Sequence, residues 1–299
     1  MKILLFGRRG QLGWELERSL SVLGELVALD WDSTDLCADF TRPDGLAQTV
    51  RLVRPDVIVN AAAHTAVDQA ESEPERARTI NALAPGVLAQ EAARINAWLV
   101  HYSTDYVFDG RGARPWAETD TPAPLNVYGH TKWEGEQLVA SGAPKHLIFR
   151  TSWFFAARGA NFAKSILQLA QERDSLSVVG DQWGAPTGAE LLADVTAHAI
   201  RSVKAPPPRT DLAGLYHLVA GGHTSWHGYA QLVLRIAQSK GMALKVLPEQ
   251  VGAIATANYP TLARRPHNSR LNTNKIQTAF GLCLPPWQLG VERVLAEIL

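Results

Sequence analysis

The sequence predicts an α/β fold, a doubly wound parallel sheet with a smaller, mainly helical lobe beside it. Three observations carry this. Short apolar runs alternate with helix-like segments through the first half of the chain, the order that parallel strands joined by crossover helices require. The first run ends in a glycine-spaced loop, G-R-R-G-Q-L-G from Gly7 to Gly13, just before a helical pattern. Two later runs end in polar residues, Thr104-Asp105 and Thr151-Ser152-Trp153, at the position where open sheets of the Rossmann type hold their ligands.

Ile3 to Phe6 reads as the first buried strand. The glycines after it let a turn close, and the helix that follows presents free N–H groups to a pyrophosphate. The spacing is G-x-x-G-x-x-G, with Gly7, Gly10 and Gly13, rather than the G-x-G-x-x-G of ordinary dehydrogenases. A second strand, Glu25 to Asp30, ends in an acid ~20 residues beyond the loop, where a carboxylate takes the adenosine ribose hydroxyls. Asp30 favours NADH, whereas Arg8 and Arg9 in the loop suit the extra phosphate of NADPH, so tolerance of both is expected.

Asp39-Phe40 stands before a helix starting near Pro43 and could flank the adenine. Pro55 to Asn60 reads as the third strand and runs into A-A-A-H-T, whose small side chains let a dinucleotide pass closely. A helix is expected over roughly Glu73 to Asn96, and strands over Trp98 to Ser103 and His146 to Arg150. Lys204 to Arg209, K-A-P-P-P-R, reads as a stiff connector. Leu215 to Val219 reads as a strand returning to the sheet, with helices around Asn161 to Asp174, Trp226 to Leu247 and Trp287 to Leu299. The expected division is 1–150, with a returning segment about 188–220, for the dinucleotide, and about 151–187 and 221–299 for the substrate.

Tyr128 and Lys132 sit at i and i+4 and would leave one helix face a turn apart. An ammonium beside a phenol favours phenolate and is expected to draw the tyrosine pKa toward neutrality. A phenol so tuned can give a proton to a ketone oxygen while a nicotinamide delivers hydride to the carbon. Thr104 would hydrogen-bond the same oxygen, and Lys132 would also anchor the nicotinamide ribose.

Basic and acidic residues both number 29, so no charge excess points to nucleic acid or a membrane surface as partner. The N-terminus lacks a signal-length apolar core, and the two cysteines, Cys37 and Cys283, read as free thiols. A cytoplasmic protein is expected. His223 and His227 fall across a turn and a helix start without a nearby acid, which argues against a zinc set. Of nine tryptophans, Trp153 and Trp183 lie in expected site loops, where an indole could stack on a sugar or base.

With these residues in place the chain resembles the extended short-chain dehydrogenase/reductase superfamily and, within it, the family of dTDP-4-dehydrorhamnose reductases. The resemblance covers nearly the whole length. It is carried by L-F-G-R-R-G-Q-L-G, N-A-A-A-H-T-A-V-D-Q-A-E, S-T-D-Y-V-F-D-G, Y-G-H-T-K-W-E-G-E, R-T-S-W-F-F, G-D-Q-W-G-A-P-T and R-P-H-N-S-R-L. It implies reduction of the 4-keto group of dTDP-6-deoxy-L-lyxo-4-hexulose, giving dTDP-L-rhamnose, with Thr104, Tyr128 and Lys132 as the triad. It places NADPH or NADH on Gly7, Arg8, Gly10, Gln11, Leu12, Gly13, Asp30, Asp39, Phe40, Ala61, Ala62, Ala63, His64 and Thr65. Substrate contacts would be Thr104, Asp105, Trp153 and Arg265. The family also implies a homodimer and a structural Mg2+ that would bridge its subunits, for which Glu15, Glu190 and Glu292 are the candidate ligands. The alternatives are a sugar-nucleotide epimerase or dehydratase of the same fold, and a non-catalytic regulatory subunit.

Overall fold

The computed structural model describes residues 1–299. Its first half contains β1 (Lys2–Phe6), α1 (Gln11–Leu20), β2 (Glu25–Leu29), α2 (Pro43–Val53), β3 (Val57–Asn60), α3 (Val67–Ser72), α4 (Pro74–Arg78), α5 (Ala84–Arg94), β4 (Trp98–Thr104), α6 (Val127–Gly142) and β5 (His146–Thr151). The second half contains β6 (Phe154–Phe155), α7 (Phe162–Glu172), β7 (Ser177–Val179), β8 (Trp183–Gly184), β9 (Thr187–Gly188), α8 (Ala189–Lys204) and β10 (Gly214–His217). It ends with β11 (Thr224–Ser225), α9 (Trp226–Ser239), β12 (Gly252–Ile254), α10 (Asn274–Phe280) and α11 (Trp287–Ile298).

Six strands form one sheet in the order β10-β5-β4-β3-β1-β2, every pair parallel. The strand order reverses between β1 and β3, which opens a crevice at their C-terminal ends. β4 is buried along its whole length, as a central strand covered on both faces must be. One face packs on α1, α8 and α10 through Leu12, Leu16, Leu192, Ile200 and Phe280. The other packs on α2, α5 and α6 through Leu46, Val50, Leu88 and Val139. A separate apolar cluster holds α7, α9 and α11 together as a lobe, centred on Ile166, Tyr229, Val233 and Val291. No helix is long and apolar enough to cross a membrane.

The strands fall where the apolar runs place them, and β10 pairs with β5 as the returning strand. Two helices differ from expectation. The run from Glu73 to Asn96 is broken by a wider π turn at Thr79–Leu83. The expected helix from Trp226 to Leu247 stops at Ser239, because Gly241 turns the chain at φ 82, a conformation that favours glycine.

One buried ion pair ties α6 to the sheet. Arg150 Nη2 and Nε donate to Glu136 at 2.6 and 2.8 Å, with both side chains 4% exposed. Removing one partner strands a charge away from water, a loss of about 3–5 kcal/mol. Glu136→Gln is therefore expected to lower the unfolding free energy by about 3 kcal/mol in urea titration. A double replacement by apolar residues should cost much less than the two single losses summed. A change near zero for Glu136→Gln would show that the pair contributes nothing.

Candidate active site

The crevice begins at the loop between β1 and α1. Gly7 has φ +86, and a Cβ on Gly13 would stand 1.8 Å from Gly7 O, so the helix start presses directly on the turn. Gly10 caps α1 without a side-chain hydrogen bond, leaving the first N–H groups of the helix for an anion. Ala61, Ala62 and Ala63 are half-buried beyond β3 and Thr65 is exposed. His64 is held through its backbone, its N–H donating to Asn81 Oδ1 at 2.8 Å and its carbonyl accepting from Asn81 Nδ2 at 3.1 Å. Its buried Nδ1 has no partner. A narrow loop, uncapped helix N–H groups and an orphaned ring nitrogen on one rim fit a dinucleotide.

Several expected cofactor residues have other duties. Asp30 is buried, and its oxygens accept the backbone N–H groups of Arg9 at 2.8 Å and Trp31 at 2.9 Å. Gln11 Oε1 accepts from Ala156 N and Asn161 Nδ2, both at 3.0 Å. Leu12 is a core residue. Phe40 is core too, packed edge-on against Phe6 at 5.6 Å, so its ring is spent on folding rather than left open to flank an adenine. Asp39 accepts from Thr41 N and Oγ1 at 2.9 and 2.7 Å. Arg8 leans toward Glu17 at 3.6 Å.

The candidate triad assembles where α6 meets the end of β4. Asn126 Oδ1 caps α6 by accepting from Gly129 N at 2.7 Å, and its Nδ2 donates to Arg264 O at 2.8 Å. A Cβ on Gly129 would lie 2.2 Å from Tyr106 O, so the helix is pressed against the turn that follows Thr104. Thr104 Oγ1 accepts from Tyr106 N at 3.1 Å and donates to Asp105 Oδ1 at 3.2 Å. One turn further along α6, Lys132 is buried and its Nζ donates to Tyr102 O at 2.6 Å.

The electrostatics correct one expectation. Burial pushes the Tyr128 phenol up to about 12, with Thr104 hydrogen bonding acting downward and the Asp105 charge acting upward. Burial also draws Lys132 down to about 8, with Glu136 opposing. The ammonium is spent on the Tyr102 carbonyl, and loss of water outweighs any help it gives a phenolate. Tyr128 thus keeps its proton near neutrality. Asp105 is pushed up to about 7 by burial, against hydrogen bonds from Ser269 and Thr104, and its Oδ2 has no partner.

Beside the triad lies a cavity of about 370 Å³ between α7, β7 and α9, lined by Tyr106, Phe162, Val178, Gln182, Trp226, Tyr259 and Arg265. The Tyr106 ring stands edge-on to Tyr128 at 5.8 Å, so one wall residue of the cavity packs against the triad tyrosine. Arg265 Nη2 pairs with Asp68 at 2.6 Å, while its buried Nη1 has no partner. Trp153 has φ 48 and stacks on Trp226 at 3.6 Å. A Cβ on Gly184 would fall 2.6 Å from the Trp153 ring, so the glycine of G-D-Q-W-G makes room for it. Trp183 instead faces His223 at 5.9 Å and is 40% exposed.

Sequence reasoning missed Phe162, Trp226, Asp68 and Asn81. The first two read as members of apolar helix faces. Asn81 had a signal, a polar residue inside an otherwise apolar helical run. Of the three acids expected to share a Mg2+ between subunits, Glu15 and Glu190 are neighbours within one chain. Glu15 accepts from Arg18 at 3.0 Å, Glu190 is held up by burial with Glu15 and Glu297 as its acidic neighbours, and Glu292 is exposed. No group of three His, Cys, Asp or Glu is placed to hold a metal ion.

Comparison with known proteins gives the family and the fold. The family model described as RmlD substrate binding domain matches residues 1–299. A dTDP-4-dehydrorhamnose reductase of Shigella flexneri is 59% identical over 298 residues, covering 100% of this chain and 98% of the relative. The crystal structure of a dTDP-4-dehydrorhamnose reductase from Clostridium acetobutylicum superposes with a TM-score of 0.89 at 33% identity, covering 100% and 99% of the two chains. That of the Bacillus anthracis reductase, in complex with NADP, gives 0.87 at 33% identity with 99% of each chain covered. With its whole length matched by sequence and by fold, the chain belongs to the dTDP-4-dehydrorhamnose reductase family.

Proposed function

We infer that the protein reduces the 4-keto group of dTDP-4-dehydro-6-deoxy-L-mannose to dTDP-L-rhamnose, using NADPH or NADH. The observation that carries this is the placing of Tyr128, at the start of α6, beside Thr104 at the end of β4 and edge-on at 5.8 Å to Tyr106, a wall residue of a cavity that holds an unpaired arginine nitrogen. In this reading residues 1–150 and about 188–220 take the dinucleotide, and about 151–187 and 221–299 take the sugar nucleotide. The nicotinamide supplies hydride when bound.

The chain's own residues do the rest. Tyr128 gives its proton to the ketone oxygen as negative charge grows there, and a phenol that has kept its proton is the form this step needs. The Thr104 hydroxyl, turning its one proton from Asp105 Oδ1, donates to the same oxygen and fixes its position. Lys132, anchored on Tyr102 O, holds positive charge under the site. Arg265 Nη1 would meet the diphosphate, and Phe162 and Trp226, 4.6 Å apart, would wall the base. Trp153, held by its stack on Trp226, would face the sugar. The same reading makes the protein a cytoplasmic homodimer. Trp14 on α1 and Leu289 on α11, 48% and 54% exposed, are apolar surface a second copy could cover.

Tyr128→Phe is expected to lower kcat by about 10²–10⁴-fold with cofactor affinity retained, followed by absorbance of the reduced nicotinamide and by calorimetry. Thr104→Ala should cost about 10²–10³-fold in kcat, the usual loss of one oxyanion donor. Turnover at the parent rate in Tyr128→Phe would remove the assignment. Asp105 gives a pH signature. Its folded pKa of about 7 lies above the unfolded value of about 3.9. Between the two the folded state holds a proton the unfolded state has lost, so stability falls as pH rises through that window. Relative to the parent, Asp105→Asn should therefore gain roughly 2–4 kcal/mol between about pH 5 and about pH 8. Urea titrations at both pH values check this, and a difference independent of pH would exclude Asp105 as the titrating group.

A further inference from the structure

This inference rests on the dinucleotide reading and concerns the corner where the glycine loop meets the end of β2. In sheets of this kind the acid after the second strand receives the ribose hydroxyls, and an arginine nearby accommodates a 2′-phosphate. Here the turn carries two acids with different partners. Asp30 is 7% exposed and bonded to the backbone N–H groups of Arg9 and Trp31, so it braces the loop against the strand. Asp32, at the surface of the same turn, forms an ion pair with the Arg9 side chain. Arg9 thus reaches Asp30 with its backbone and Asp32 with Nη1. Its side chain is 60% exposed and that of Asp32 33%, so the rest of the guanidinium fork stays open at the mouth of the crevice. Arg8 is turned toward Glu17 on α1 and does not share this contact.

We propose that the Arg9–Asp32 pair sets the choice between NADH and NADPH. With a free 2′-hydroxyl the pair stays closed, and the Asp32 carboxylate is an acceptor beside the ribose. A 2′-phosphate draws Arg9 into a bidentate contact, for which the planar guanidinium is suited. It also meets the charge of Asp32, which repels it and competes for the same arginine. Asp32 therefore weakens the phosphorylated cofactor in two ways, and Arg9 is what keeps it usable. The balance lies in one exposed contact, apart from the braced Asp30.

The test measures binding of adenosine 2′,5′-bisphosphate and of 5′-AMP by calorimetry to the full chain and to Asp32→Asn and Arg9→Gln. Asp32→Asn is expected to bind the bisphosphate about tenfold more tightly, the size of one exposed charge contact on a phosphate, with 5′-AMP changed less than about threefold. Arg9→Gln is expected to lose about tenfold or more on the bisphosphate alone. The gain in Asp32→Asn should shrink as ionic strength rises. Equal shifts for both nucleotides in either variant, or no shift in the ratio, would overturn the inference while leaving the dinucleotide reading intact. A parent protein that binds neither nucleotide would overturn both.

Discussion

The absence of a side chain at residue 129 sets how close α6 comes to the sheet. With Gly129 there, the helix start rests against the carbonyl of Tyr106, where a Cβ would be 2.2 Å away. That approach fixes three things together. Tyr128 is carried to the end of β4 beside Thr104, Lys132 is driven beneath the strand onto Tyr102 O, and the Tyr106 ring is turned edge-on to Tyr128. The water excluded at this contact is also what keeps the phenol protonated and depresses the ammonium. Packing and proton affinity therefore have one origin, since both follow from a helix held too close for solvent.

Much of this was legible because it is written locally. The alternation of apolar runs and helical segments gives the parallel sheet, and the i, i+4 spacing of Tyr128 and Lys132 puts them on one face. What the sequence could not supply was where each polar group spends its hydrogen bonds. Gln11 stands in the middle of the phosphate loop, yet its amide oxygen serves Ala156 and Asn161 in the lobe. Phe40 stands beside an acid after the second strand, yet its ring belongs to the core with Phe6. The sign of the tyrosine shift was misread for the same reason, because spacing shows that a charge is near but not that water is gone.

The nucleotide-sized cavity was harder to foresee. Its walls come from α7, β7, α9 and the loop carrying Tyr259 and Arg265, segments far apart in the chain, each of which reads as ordinary amphipathic helix or loop. Only Arg265 and Trp153 were singled out, and Trp153 reaches the cavity through its stack on Trp226. Gly184 is informative in retrospect, because its missing Cβ is the space that the Trp153 ring fills.

The two hydrogen bonds at Gln11 bear on how a bulky substrate gets in. Its single amide oxygen fastens the first turn of α1 to residues 156 and 161, so the lobe cannot swing off the sheet there without stranding an acceptor and the Ala156 N–H. That side behaves as a riveted seam. The loop that adds Tyr259 to the cavity wall is held at Ala263 N and Arg265 by Asp68, while its Tyr259 and Leu262 side chains are 57% and 79% exposed. Opening between sheet and lobe is thereby restrained on the Gln11 side, where one acceptor serves both parts of the fold.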